Sequence, residues 1–270
     1  MSSFFELLQI YRWSLPASVV MAAVLALIGG QWTAREKSAQ IFVLGQGSSL
    51  GIILGLALNI LWGSDLHGLS LFLGLSLGWL TLLISDSLIE IREDRNHIYL
   101  TLFVFFLSLT YLLTSLIPSL ESHMASSYFG DVAVMSDLGA QACLGLGLLF
   151  GGFILFHWRS LSMISFQLVN RSGIHKQIEN RIFDIATLLL TTMAIQNMGY
   201  LYTIGSLFVG TSFAAHRSAN LKNYTQRLLA IALLGSLLGF TVSLISTTLP
   251  TVPCILLGQM FVGGLSYTKK

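Results

Sequence analysis

The residues best suited to chemistry in this 270-residue chain are 6 histidines, 12 acids and 2 cysteines, and their spacing points to passage through a pore rather than to bond making. There is no HExxH string, and no pair of acids or histidines stands at helical spacing within an apolar segment, so neither a metalloprotease-type zinc site nor a paired-acid centre is encoded. Cys143 and Cys254 lie in apolar segments without CxxC spacing and read as buried free thiols. The most distinctive polar run is Gly45 to Gly55, glycine- and serine-rich inside an apolar segment and just after the charged turn Arg35-Glu36-Lys37. Its polar side chains, Gln46 and Ser49 among them, offer neutral oxygens that can touch a passing solute, while a tightly held transition metal requires carboxylate, imidazole or thiolate.

The remaining ionisable groups read mostly as structural. Asp184 stands about one turn from Arg181 and is expected to form a salt-bridged helix start. Asp86 and Glu90 are expected to join Arg92 and Arg95 in a solvated charged turn, and His157 and His216 to sit at helix ends beside terminal carbonyls. Asp65, His67, Glu121, His123, Asp131 and Asp137 fall in stretches that lack Lys and Arg. Two explanations stand for them: an acidic funnel that attracts cations, or residues left over once Lys and Arg are kept to the other side.

Composition sets the frame that positions these groups. Hydrophobic residues make up 54% and charged residues 10%, with mean hydropathy +0.77, against the roughly 25% charged of soluble domains. An all-α, polytopic membrane protein of about eight or nine transmembrane helices is predicted, residues 1–270 forming a single membrane domain. A net charge of +2 spread over loops gives no basic face for nucleic acid. Apolar length places segments at about 14–32, 39–62, 66–86, 98–117, 138–157, 182–198, 200–216, 228–247 and 251–267.

Lysine and arginine orient the segments. Basic loops carry Arg35/Lys37, Arg92/Arg95, Arg159/Arg171/Lys176/Arg181, Arg217/Lys222/Arg227 and Lys269/Lys270, and the intervening loops at 63–66, 118–137, around 199 and at 248–250 carry none. This alternation puts the C-terminus in the cytoplasm. Both flanks of 182–216 are basic, so this stretch crosses twice in about 35 residues, and each crossing is short. Gly199, Gly205 and Gly210 then mark either broken helices beside a pathway or points of close helix packing. Nine crossings place Ser2 to Trp13 outside; the aromatic residues there could instead make an interfacial helix.

Several stretches, in order along nearly the whole chain, resemble the permease subunits of ABC importers for zinc, manganese and iron. Gly45, Ser49, Ile53 and Gly55 match the family's G-D-x-x-S-H-x-x-L-P-G run. Tyr128 to Leu138 resembles its F-G-D-(apolar)-x-V-S-x-x-D-L segment, and Leu161 to Gly173 its cytoplasmic S-F-D-x-x-x-A-x-x-x-G element. Gly199 to Ala215 and Leu249 to Pro253 are similar to the conserved-pattern regions near the family's C-terminus. At the pathway the chain departs from the pattern: Gln46 takes the place of the family Asp, Leu50 that of the His, Leu54 that of the proline before Gly55, and Gly210 that of a later proline.

The resemblance implies a bacterial inner-membrane permease that performs no covalent chemistry and binds no cofactor, ATP being used by a separate subunit. Its implied partners are a cytoplasmic ABC ATPase, an extracytoplasmic metal-binding protein, a second copy of itself and the lipid bilayer. A cytoplasmic coupling segment, about 158–181, would dock into the ATPase, with Ile164, Phe166, Gln167, Leu168 and Val169 as contacts and Gly173 as helix C-cap. Gln46, Ser49, Leu50, Gly199 and Gly210 are the expected pathway residues, and Asp65, Glu121, Asp131 and Asp137 the outer funnel. Two substrate readings follow from the departures: a divalent ion passing through a weakly binding pore, or a metal chelate or other small solute. A secondary transporter or membrane scaffold needing no ATPase is the alternative class, against which the halves show no convincing self-similarity.

Overall fold

The computed structural model describes residues 9–62, 67–91, 95–170, 177–216, 218–246 and 249–268. Eleven α-helices occupy them: α1 (Ser14–Ala34), α2 (Ser38–Trp62), α3 (His67–Ile91), α4 (Arg95–Leu116), α5 (Glu121–Phe129), α6 (Asp137–Phe156), α7 (Trp158–Val169), α8 (Gln177–Met198), α9 (Tyr200–Ala215), α10 (Leu221–Ile245) and α11 (Thr251–Thr268). Two short 3₁₀ turns, Pro118–Leu120 and Val132–Val134, flank α5. Six helices, α1 to α4, α6 and α10, are long and apolar enough to cross a bilayer by length and composition. The nine apolar segments expected from the sequence coincide with α1 to α4, α6 and α8 to α11.

Backbones inside a bilayer must satisfy their own hydrogen bonds, and helices then associate through close packing rather than through the hydrophobic effect. Small residues do this here. Gly47, Gly51 and Gly55 form one stripe of α2 that lies directly on α3: an added Cβ would stand 2.0 Å from Thr81 Oγ1, 2.3 Å from the Leu73 carbonyl oxygen and 2.4 Å from Ser70 Cα, respectively. These three glycines of the 45–55 run are thus packing residues, and they turn Gln46, Ser49 and Leu50 away from α3. The strings Gly47 to Gly51 and Gly74 to Gly78 also spell the G-x-S-x-G of a nucleophile elbow, but both are interior to continuous helices rather than at strand-to-helix turns.

Helices α8 and α9 are separated by one residue, Gly199, at φ +92°. Gly205 and Gly210, for which the sequence left open a break or a point of close packing, are interior to an unbroken α9. The left-handed Gly199 abuts Gly130, itself at φ +67°: a Cβ on residue 199 would stand 2.6 Å from Gly130 Cα, and one on residue 130 would stand 1.9 Å from the Met198 carbonyl oxygen. This paired close approach seats α5 and the turn after it against the α8–α9 junction, so the 118–137 stretch, read from sequence as a loop, is a helix and two turns.

At the basic-loop end, the turn after α1 is bolted to the rest of the protein. Arg35 is 5% exposed; its Nη1 donates to Asp184 at 3.2 Å, its Nε to Ser165 at 3.1 Å, and its guanidinium lies 4.6 Å from the Phe183 ring centroid. Asp184 therefore pairs with Arg35, across the tertiary structure, instead of with Arg181 one turn away. Burial pushes the Arg35 guanidinium below its ordinary value, and Asp184 opposes this. Asp86, expected to join Arg92 and Arg95, instead accepts from Lys37 at 3.2 Å and from Gln40 at 2.9 Å; Arg92 lies outside the described residues. At the opposite end Arg12 stands 3.9 Å from Asp137, which places the start of α1 on the same side as the start of α6, as nine crossings require. Most of the expected interfacial segment, residues 1–8, lies outside the described residues.

Replacing Gly199 by alanine should cost about 1–3 kcal/mol, because the new Cβ meets backbone and the residue keeps a left-handed φ. The purified protein in detergent should unfold several degrees lower, and Gly130→Ala should behave alike. Gly152→Ala, with nothing within 4 Å of the added carbon, should leave the midpoint unchanged.

Candidate translocation site

The flank of α2 that faces away from α3 carries Gln46, Ser49 and Leu50, all of them buried. The Gln46 Oε1 accepts a hydrogen bond from the Tyr128 hydroxyl at 2.6 Å. Tyr128 belongs to α5, which is not a spanning helix but is held between α2, α4 and the α8–α9 junction. Burial raises the Tyr128 hydroxyl above its ordinary value, so it remains a neutral donor at physiological pH. Tyr200, the first residue of α9, completes the group: its ring centroid is 5.6 Å from that of Tyr128. Gly45 is what admits it, since a Cβ there would stand 2.8 Å from the Tyr200 ring. Two phenol rings thus close over one buried amide.

Below and beside this group the lining is neutral. Ser48 Oγ lies 3.1 Å from Thr192 Oγ1, bridging α2 to α8. The Ser49 hydroxyl is buried beside the Tyr128 hydroxyl. Leu50, one turn beyond Gln46, points into an apolar cluster with Val43, Tyr99 and Phe106. Among the described residues no three His, Cys, Asp or Glu side chains come together. The arrangement offers an amide oxygen and hydroxyls, ligands suited to weak, exchangeable contact.

The other expected pathway residues are dispersed. Gly199 lies at the α8–α9 junction, within reach of this group through its neighbour Tyr200. Gly210 does not: it packs near Leu228 of α10 and Ala26 of α1, part of the helix-packing core.

The expected outer funnel divides in the same way. Asp131 and His123 line a cavity of about 480 Å³ together with Ser70, Ser127, Gln196 and Asn197. The Asp131 carboxylate also accepts from the Ala133 amide at 3.0 Å, capping the second 3₁₀ turn. Glu121 stands exposed in the first turn of α5. Asp137 faces Arg12, so the outer end is not free of cations, although that ion pair is largely solvated and contributes little. Asp65 lies outside the described residues.

The stretch expected to be the coupling segment contains α7, a 12-residue helix that begins at Trp158 and ends at Val169, before the expected C-cap Gly173, which lies outside the described residues. Phe166 and Met163 are exposed, at 69% and 64%, and Val169 lies on the same side. Ile164 is 1% exposed and belongs to the core, so it is not available to a partner as the expected contact set required; Leu168 is half-buried against that core. Gln167 is half-buried. The inward face is tied to α1: Ser165 donates to Gln31 Oε1 at 2.8 Å, and Gln31 Nε2 donates to Ser162 at 3.0 Å.

Tyr128 and Tyr200 were not singled out by sequence reasoning. Tyr128 directly precedes the Phe129-Gly130-Asp131 stretch, and that proximity is the one signal that bears on it; nothing local to Tyr200 shows that the α8–α9 break carries it to Gly45.

Comparison with known proteins agrees with this architecture. The model of the ABC 3 transport family matches residues 7–268. The high-affinity zinc uptake system membrane protein ZnuB of Buchnera aphidicola subsp. Acyrthosiphon pisum (strain APS) is 25% identical over 260 residues, 94% of this chain and 95% of that protein. Among solved structures, PsaBC from Streptococcus pneumoniae in complex with Fab shares the fold with a TM-score of 0.75 at 17% identity, covering 98% of this chain and 95% of that one. A transporter assigned to the metal-chelate type, in an inward-facing conformation, does so with a TM-score of 0.71 at 16% identity, covering 97% and 88%. With its helices in this order and a family match over nearly its full length, the chain belongs to the ABC 3 transport family.

Proposed function

We propose that this chain is the membrane-spanning permease of an ATP-driven importer of divalent metal ions, with zinc as the cargo. The observation that carries the reading is the family match over residues 7–268, and the zinc uptake protein ZnuB, similar along nearly its whole length, supports the choice of metal. The pathway runs along the outer flank of α2, through Gln46 and Ser49, beneath Tyr128 and Tyr200. Because the side chains are neutral, the ion is passed rather than retained: an amide oxygen and hydroxyls replace part of its hydration shell without a carboxylate or imidazole to trap it. Asp131 and His123 in the outer cavity supply the attraction that the interior lacks.

Movement is delivered through α7. A cytoplasmic ATPase docks on Met163, Phe166 and Val169, and its displacement of α7 passes through Ser162 and Ser165 to Gln31 and Arg35. The turn 35–37 leads directly into α2, so a shift of α7 reaches Gln46 along a continuous set of contacts. A second copy of the chain and an external binding protein complete the assembly. The second substrate reading, a metal chelate, is favoured by Gln46 and Leu50, which leave no strong ligands for a bare ion; the Tyr128–Gln46 closure would then open to a larger solute.

Elemental analysis of cells lacking the gene, grown under metal limitation, should show a selective fall in zinc against the parent strain. Unchanged zinc, manganese and iron would remove the free-ion reading. Phe166→Glu should abolish co-purification of the ATPase while the permease remains folded, because it places a charge at the centre of the exposed apolar row. Gln46→Asp combined with Leu50→His puts a carboxylate and an imidazole at i and i+4 on one helix face, and cobalt or zinc affinity measured by equilibrium dialysis should rise at least tenfold over the parent, an effect of about 1.4 kcal/mol.

A further inference from the structure

We propose that Ser48 and Thr192 form the neck of a passage that joins the outer cavity to a second cavity at the cytoplasmic end, so that a cation crosses between α2, α3 and α8. The inference rests on the cation-importer reading and stands apart from the role given to Gln46, since Ser48 lies about 200° round α2 from that residue. Its basis is two cavities along one face of α8. The outer one, of about 480 Å³, is bordered by Ile52 of α2 and Gln196 of α8. The inner one, of about 420 Å³, is bordered by Asp86 of α3 and by Asp184 and Leu188 of α8. Residues 184, 188, 192 and 196 follow one another at single-turn spacing along α8, so Thr192 stands one turn, about 6 Å of helix rise, from the border of each cavity.

The contacts across that interval are continuous. Ser48 Oγ lies 3.1 Å from Thr192 Oγ1, and both residues are fully buried. On the outer side a Cβ on Gly74 would stand 2.9 Å from both Ile52 Cγ1 and Thr192 Cγ2; on the inner side one on Gly78 would stand 2.4 Å from Ser48 Oγ and 2.9 Å from Leu188 Cδ1. Helix α3 places glycine at both positions, and the hydroxyl pair occupies the space that side chains there would take. Several buried threonines nearby return their proton to the carbonyl one turn earlier: Thr81 to Leu77, Thr187 to Phe183 and Thr191 to Thr187. Ser48 and Thr192 turn instead to each other, across two helices. Parted, they present two neutral oxygens to a cation that has shed part of its hydration shell, ligands suited to brief contact. Beyond them Asp184 and Asp86 are already paired, with Arg35 and Lys37 respectively, so the inner cavity receives the ion without retaining it.

The test uses the complete transporter in cells lacking the chromosomal copy, with the initial rate of radioactive zinc uptake as readout and the melting point of each purified permease as control. Thr192→Val, which keeps the shape and removes the oxygen, should lower uptake about tenfold without lowering the melting point. Thr192→Ser, which restores the oxygen, should return uptake to near the parent rate; a purely structural role would not separate the two. In a chain whose native cysteines are replaced, the Thr192→Cys thiol should react with a small cationic thiol reagent added outside during ATP turnover and be protected at rest. Parental uptake by Thr192→Val would overturn the proposal, and so would protection of the Thr192→Cys thiol during turnover while that of Gln46→Cys reacts. Absence of zinc uptake by the parent, with the Thr192→Cys thiol reactive during turnover, would reject the cation reading and keep the neck as the passage of another solute.

Discussion

A polar side chain at membrane depth must find its partner inside the protein, and here the most consequential case is Gln46. Its amide oxygen is buried and satisfied by the Tyr128 hydroxyl at 2.6 Å. In water such a bond would be one among many; within a bilayer, breaking it without a substitute leaves an unpaired acceptor in a medium that cannot solvate it. The bond therefore fixes α5 against α2 and, on the proposed function, holds the pathway closed. Whatever displaces Tyr128 must offer Gln46 something in return. A cation with part of its hydration shell can do so.

The rest of the architecture holds that contact in register. The Gly47, Gly51 and Gly55 stripe presses α2 onto α3 and leaves the Gln46 flank free. The two left-handed glycines, Gly130 and Gly199, hold α5 against the α8–α9 junction, and the short α9 that begins there supplies Tyr200. At the other end of α2 the Arg35–Asp184 pair and its link to Ser165 tie α1, α7 and α8 together just ahead of the turn into α2. The Tyr128–Gln46 contact and α7 are thus joined through α1, the turn 35–37 and α2.

Much of this was legible in the amino-acid sequence. Apolar length alone located nine of the eleven helices, and the positions of Lys and Arg gave them an alternating direction, because both signals are local and the bilayer imposes them on each segment separately. The single α8–α9 break at 199 was foreseen from length and from the absence of Lys and Arg there; what stayed open was whether Gly205 and Gly210 were breaks too, since they carry the same side chain as Gly199 and only the left-handed backbone at 199 separates them. The α5 helix was missed because nine residues with mixed polarity carry no spanning signal; its place depends on a tertiary fit between two glycines about seventy residues apart in the chain. Asp184 was paired with the nearest cation in sequence, Arg181, although its partner, Arg35, arrives from another helix. The coupling residues were read as one apolar set, whereas helical geometry sends Ile164 and Leu168 inward and leaves Phe166 and Met163 outside.

The central claim is that Gln46 lies on a water-accessible path that Tyr128 closes. It is tested most directly by placing a cysteine at Gln46 in a chain whose two native cysteines, Cys143 and Cys254, have been replaced, and measuring its labelling by a membrane-impermeant thiol reagent in the complete transporter. Labelling should be slow at rest, fast during ATP turnover, and fast at rest when Tyr128 is also changed to alanine. Protection under all three conditions, in a complex that still transports, would place the pathway elsewhere.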